Sequence, residues 1–142
     1  GSLADLLSIP GGGSRHPASA QSLEARLHYM KMTGKEVFKH AVKAMSEATT
    51  TVMAKCGLTF DDIQLVIPHQ ANIRIIQAIG ERLGVPVDKV FVNVEKYGNM
   101  SSATVPVALD QAMRTGRLKA GDRVVLVAFG GGFTWGAMVV GI

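Results

Sequence analysis

The sequence predicts a single α/β domain over residues 1–142, a mixed sheet with helices on its faces in three layers. Two patterns predict it. Short β-branched apolar runs alternate with stretches whose apolar residues recur at helical spacing. The last two runs are separated only by Gly130-Gly131-Gly132, close enough to be antiparallel neighbours at the edge of an otherwise parallel sheet. A hydrophobic content of 47% over 142 residues, with mean hydropathy +0.22, supplies the apolar surface for a real core.

Residues 10–22 are rich in glycine, proline and serine and predict a surface loop. From residue 35, Val37, Phe38, Ala41, Val42, Met45, Ala48, Val52 and Met53 follow a helical period until Gly57 stops it. This predicts a long amphipathic helix over 35–56 that covers one sheet face. Leu65–Pro68 predicts a buried strand. Residues 71–83 predict a helix with Ile73, Ile76, Ile79 and Leu83 inward, closed by Gly84 and Pro86. Residues 90–94 predict the next strand, and Ser101 or Ser102 is placed to cap a helix that buries Val105, Leu109, Ala112 and Met113. That helix ends with Arg114 in its last turn and Gly116 after it. Residues 123–129 and 133–142 predict the two final strands. Helix 35–56 should pack on a strand before it, yet upstream only the weak runs 3–9 and 27–32 are available. The expectation is a chain that starts inside something longer.

Composition narrows the function. The apolar runs are too short to cross a bilayer and the start lacks a basic region followed by a long apolar stretch, so a soluble, cytoplasmic protein is expected. One cysteine, Cys56, allows no internal disulfide and no Cys₂-type metal site, and no paired metal ligands occur elsewhere. A net charge of +4 permits an acidic partner, but the basic residues are not interleaved with aromatics on a recognisable nucleic-acid module. The 130–132 glycine run is no phosphate loop, because a strand rather than a helix follows it and no Gly-Lys-Ser/Thr is present.

Two residues carry the chemistry. His69 and Asn99 each lie just past a β-type run and before a helical pattern, the place where a parallel sheet delivers side chains into a cleft. A neutral imidazole N–H and a carboxamide NH₂ are both donors, and converging on one point they would stabilise an enolate or a thioester oxyanion. No nucleophile accompanies them. Cys56 sits in Ala54-Lys55-Cys56-Gly57 at a helix end, without the turn that would expose and activate a thiolate.

Pro68-His69-Gln70-Ala71-Asn72, Tyr97-Gly98-Asn99-Met100-Ser101-Ser102-Ala103 and Phe129-Gly130-Gly131-Gly132-Phe133-Thr134-Trp135-Gly136 resemble, in order and spacing, three C-terminal motifs of β-ketoacyl-acyl carrier protein synthase III. The resemblance extends to Gly11-Gly12-Gly13-Ser14-Arg15 and Met32-Thr33-Gly34-Lys35-Glu36-Val37-Phe38-Lys39. Related plant-type polyketide synthases carry a proline within the glycine bend, and here all three residues are glycine.

The resemblance implies a thiolase-like fold of two similar halves, with the nucleophilic cysteine in the N-terminal half and this chain as the C-terminal half. It implies that His69 and Asn99 complete a Cys-His-Asn set for decarboxylative condensation of an acyl-CoA primer with malonyl-acyl carrier protein. Gly131 corresponds to an oxyanion-hole amide, Gly34, Ala71 and Asn72 to the pantetheine tunnel, and Phe129 to a ring beside the nucleophile. Lys39 and Arg74 correspond to basic positions that dock the acidic carrier protein. The implied partners are the N-terminal half, the carrier protein and a second copy of the complete enzyme, with CoA thioester and malonyl-carrier protein as substrates and no cofactor. The competing expectations are a carrier-protein-binding module without catalysis, and a related synthase making polyketide- or quinolone-type products.

Overall fold

A computed structural model describes residues 1–142. Two compact units make up the chain: Gly1–His40 with Gly130–Thr134, and Ala41–Phe129 with Trp135–Ile142.

In the first unit, strands β1 (Leu7–Ser8) and β2 (Lys31–Met32) pair antiparallel, Leu7 opposite Met32 and Ser8 opposite Lys31. The two weak upstream runs thus contribute only two residues each, and they pair with one another. The expected loop over 10–22 gives way at its end to helix α1 (Ala20–Glu24), started by a reciprocal capping box between Ser19 and Ser22. Gly11 donates its N–H to the Leu27 carbonyl at 2.8 Å, and a Cβ there would lie 2.9 Å from the Leu27 Cβ. Only glycine permits that approach. Helix α2 (Gly34–Cys56) starts in this unit, one residue before the predicted boundary, and ends at Gly57 with φ +65°.

A three-stranded sheet in the order β3-β4-β5 is formed by β3 (Leu65–Pro68), β4 (Arg123–Gly130) and β5 (Thr134–Gly141), all of it in the second unit except the terminal residues Gly130 and Thr134. β3 and β4 are parallel, with Leu65 opposite Val124 and Pro68 opposite Val127. The end of β5 returns to the start of β4 through Gly121 N–H to Ile142 O and Ile142 N–H to Asp122 O, both 2.9 Å, so the last strand is antiparallel and the sheet mixed. Every residue of β3 is buried, as expected where both faces are covered. One face packs Leu65, Ile67 and Val124 with Phe91, Leu118 and the small residues Ala108 and Ala112 of helix α5 (Thr104–Arg114). Alternation sends Val66, Val125 and Val127 to the opposite face, and they are buried too. Helix α3 (Ile73–Leu83) buries Ile76 and Ile79 and comes so close to Val90 that a Cβ on Gly80 would lie 3.0 Å from its methyl.

Two predicted elements need correction. The strand expected over 90–94 is a single parallel bridge between Val90 and Val66, after which Val94–Tyr97 turns into the short helix α4. Neither Ser101 nor Ser102 caps α5: Ser101–Ala103 is a 3₁₀ turn running into it, and Ala103 at the cap position makes no side-chain hydrogen bond. β5 lies at the sheet edge and is largely exposed, with Trp135 at 57% and Met138 at 56%. No helix is long and apolar enough to cross a membrane.

Candidate active site

Pro68 explains both the broken strand and the placing of His69. Phe91 N–H donates to Val66 O at 2.9 Å, and a parallel ladder would next send the N–H of residue 68 to Phe91 O. Proline has no such N–H. The buried Gln70 supplies the bond instead: its Nε2 donates to Phe91 O at 3.1 Å and to Pro68 O at 2.8 Å, and its Oε1 accepts Asn93 N–H at 2.8 Å. A side-chain carboxamide thus stands where a peptide group would in the ladder. On the other edge of β3, His69 N–H donates to Val127 O at 2.8 Å, so pairing with β4 continues to His69 itself. His69 is anchored on both sides by its neighbours, at the C-terminal end of β3, with its ring partly exposed.

Asn99 is delivered by the turn after α4. Gly98 takes φ +65° and ψ −163°, a combination open essentially to glycine alone. Asn99 Oδ1 then accepts Ser101 N–H at 2.9 Å, while Ser101 adopts a left-handed φ of +55°. With its carbonyl oxygen engaged, the carboxamide is oriented and its NH₂ is the group left to donate.

Thr104, wholly buried as the first residue of α5, connects the two. Its Oγ1 lies 2.5 Å from His69 Nδ1 and 3.1 Å from the Ser101 carbonyl oxygen. His69, Thr104, Ser101 and Asn99 therefore form one continuous polar path at the end of β3 and the start of α5. Burial alone pushes the His69 pKa below the ordinary imidazole value, with no charged partner acting on it. Burial therefore favours the neutral ring, which can donate to a developing oxyanion from the one nitrogen that keeps its proton.

The remaining predicted residues divide between the units. In the second unit, Ala71 donates its N–H to His69 O at 3.0 Å in the tight turn after β3, and Asn72 caps α3 by accepting Arg74 N–H at 2.8 Å. Arg74 is exposed in the first turn of α3, and Phe129 is buried near the end of β4. In the first unit, Gly34 opens α2, Gly131 lies in the β4–β5 turn with its carbonyl accepting from Thr134 Oγ1 at 3.3 Å, and Lys39 pairs with Glu36 at 2.9 Å. Lys39 holds the Glu36 carboxyl below its usual range. Cys56 is the last residue of α2 and is exposed. No three His, Cys, Asp or Glu side chains gather as a metal would need.

Sequence reasoning missed Gln70 and Thr104. A glutamine two residues beyond a strand-ending proline was a usable signal, since the proline leaves a carbonyl unpaired. Thr104 gave none, because only the approach of α5 to β3 brings its hydroxyl to the imidazole.

Comparison with known proteins follows the same lines. The family profile for the 3-oxoacyl-[acyl-carrier-protein] synthase III C terminal matches residues 53–142. The β-ketoacyl-[acyl-carrier-protein] synthase III of Clostridioides difficile is 55% identical over 136 residues, which are 96% of this chain and 42% of that protein. Crystal structures of synthase III from Thermus thermophilus and Aquifex aeolicus superpose with TM-scores of 0.87 and 0.83 at 45% and 44% identity. Each covers 100% of this chain, which spans 43% and 41% of theirs. The fold is thiolase-like, with a mixed sheet flanked by helices. This chain belongs to the β-ketoacyl-acyl carrier protein synthase III family and corresponds to the C-terminal part of its members.

Proposed function

We propose that the chain is the C-terminal half of a condensing enzyme that initiates fatty acid synthesis, joining an acyl group from a CoA thioester to malonyl-acyl carrier protein. The observation that carries this is the path from His69 through Thr104 and Ser101 to Asn99, which holds one neutral imidazole and one oriented carboxamide at a single end of the sheet. Binding a carrier protein does not require two such donors. Stabilising an enolate does.

In this mechanism a cysteine thiolate of the N-terminal half attacks the primer's thioester carbonyl, the C–S bond to CoA breaks, and CoA leaves as its thiolate. The malonyl thioester then loses CO₂; the electron pair of the broken C–C bond enters the thioester as an enolate, whose oxygen faces His69 and Asn99. The α-carbon attacks the acyl-cysteine carbonyl, a new C–C bond forms and the cysteine leaves as thiolate. On the family resemblance, Gly131 N–H has the role of oxyanion donor in that second step, and Phe129 that of excluding water from the reaction. The thioester is its own electron sink, so no resident cofactor is required. The same resemblance assigns each of Gly34, Ala71 and Asn72 to binding of the pantetheine arm.

Lys39 and Arg74 receive the acidic carrier protein. Arg74 supports this by its cost to the fold: a cation in the first turn of α3 opposes the helix dipole, and its exposed side chain makes no ion pair. Lys39 is already neutralised in part by Glu36, so Arg74 is the stronger contributor.

The test joins this chain to the N-terminal part of the Clostridioides difficile relative and supplies acyl-CoA with malonyl-carrier protein. Formation of β-ketoacyl-carrier protein supports the reading. Carrier-protein binding with no condensation by a folded, cysteine-acylated protein would establish the non-catalytic alternative.

A further inference from the structure

A neutral imidazole has one proton for two nitrogens, and only one placement makes His69 a donor toward substrate. Nδ1 is committed to Thr104. If Nδ1 carried the proton it would donate to Oγ1, and Nε2 would present a lone pair that repels an enolate oxygen. If Nδ1 is bare, Thr104 must donate to it and Nε2–H is free to donate onward. The Thr104 hydroxyl likewise has a single proton, and two acceptors lie near it, His69 Nδ1 at 2.5 Å and Ser101 O at 3.1 Å.

Distance and the other partners present choose between them. Hydroxyl donors commonly sit about 2.7–2.8 Å from a carbonyl oxygen, so 3.1 Å is a long bond, whereas the imidazole contact is short. The Ser101 carbonyl already accepts the Thr104 backbone N–H, so it does not depend on the hydroxyl, while Thr104 is wholly buried and His69 Nδ1 has only that hydroxyl as its partner. We infer that the Thr104 hydroxyl donates to His69 Nδ1 and so holds the imidazole as the Nε2–H tautomer, which makes Thr104 the positioning residue that turns His69 into a donor. The tautomer follows from geometry alone; its value for condensation rests on the function proposed above.

The inference is tested on the full 142-residue chain, ¹⁵N-labelled and held above the His69 pKa, by long-range ¹H–¹⁵N correlation of the ring. The expected result is an unprotonated Nδ1 and a protonated Nε2 in the parent protein and in Thr104→Ser. Thr104→Val keeps the β-branched shape without a hydroxyl, and should shift population toward protonated Nδ1. A protonated Nδ1 in the parent, or an unchanged ring in Thr104→Val, would overturn the inference. If the valine variant fails to fold, the parent and serine spectra still decide it.

In the joined enzyme, Thr104→Val should slow decarboxylative condensation about tenfold, less than the 10²–10³ lost with a donor itself, because some molecules retain Nε2–H. Acylation of the cysteine should be slowed less than condensation, and Thr104→Ser should recover most of both losses. Equal slowing by serine and valine would contradict the positioning role. Should no version of the joined protein condense, the proposed function fails while the tautomer result stands.

Discussion

Replacing Gln70 by Leu removes three hydrogen bonds at once from the place where β3 ends. Pro68 O, Phe91 O and Asn93 N–H would all lose their partner, and each belongs to a buried residue. Leaving a buried polar group unsatisfied costs about 1–3 kcal/mol, and burying Leu in place of the carboxamide recovers about 1.5–3 kcal/mol of apolar transfer at most. Taking about 2 kcal/mol for each of the three groups and about 2 kcal/mol recovered, the net expectation is a loss of about 4 kcal/mol, a large share of the roughly 5–15 kcal/mol available to a domain. Urea unfolding followed by circular dichroism measures it as a lower midpoint with an unchanged slope. A loss under about 1 kcal/mol would refute the idea that this side chain stands in for the ladder bond that Pro68 cannot make. Gln70→Glu keeps the acceptor for Asn93 N–H but discards both donors and buries a charge, so it should be no better tolerated.

Because burial lowers the His69 pKa, the unfolded chain binds that proton more readily, and His69 makes the fold lose stability as pH falls below the unfolded value of 6.5, with no further loss below the folded value. His69→Gln should therefore be less sensitive to acidification over that window in pH-dependent unfolding; a parent more resistant to acid than the variant would reverse the sign. Thr49 is wholly buried and its hydroxyl has no partner, so Thr49→Val should raise stability by about 1 kcal/mol in the same assay, and a decrease would reveal a bond to that hydroxyl. For the function proposed here, Arg74→Glu should raise the apparent KM for malonyl-carrier protein with acylation by CoA thioester unchanged, and should leave thermal stability level or slightly higher. An equal loss of acylation would remove Arg74 from docking. Lys39→Glu should act in the same direction and more weakly.

The elements legible in the sequence were those whose pattern and partner coincide. Leu65–Pro68 reads as a buried strand because both of its faces are covered, and α3 reads as a helix because Asn72 and Gly84 mark its ends. Residues 90–94 have the composition of a strand and fail to be one, since Pro68 on the neighbouring strand has no donor for Phe91 O and Gln70 takes over. That fact belongs to two segments at once, so neither shows it alone. α1 escaped notice because glycine and proline before it outweighed a serine pair that caps locally. At the site, His69 does lie at the end of a strand, whereas the strand expected before Asn99 is only the Val90 bridge and Asn99 follows helix α4 instead. Thr104, which links the two through Ser101, looks like an ordinary first-turn residue until α5 packs on the sheet. Lys35, Lys39 and Lys43 recur at i, i+4 and i+8 and so share one face of α2, yet that face is not uniformly basic, since Lys39 pairs with Glu36 and Lys43 approaches Glu47 at 4.0 Å.

The two donors can be separated from the nucleophile by measuring acyl loading and malonyl decarboxylation independently in the joined enzyme carrying His69→Ala or Asn99→Ala. Each variant should still take the acyl group from CoA onto the cysteine, with His69→Ala disturbing that step more because an imidazole also influences thiolate formation. Release of CO₂ from malonyl-carrier protein should fall by about 10²–10³ in both, the usual loss for one oxyanion donor. Abolished loading with decarboxylation at the parent rate, in either variant, would contradict the assignment of His69 and Asn99 to the enolate.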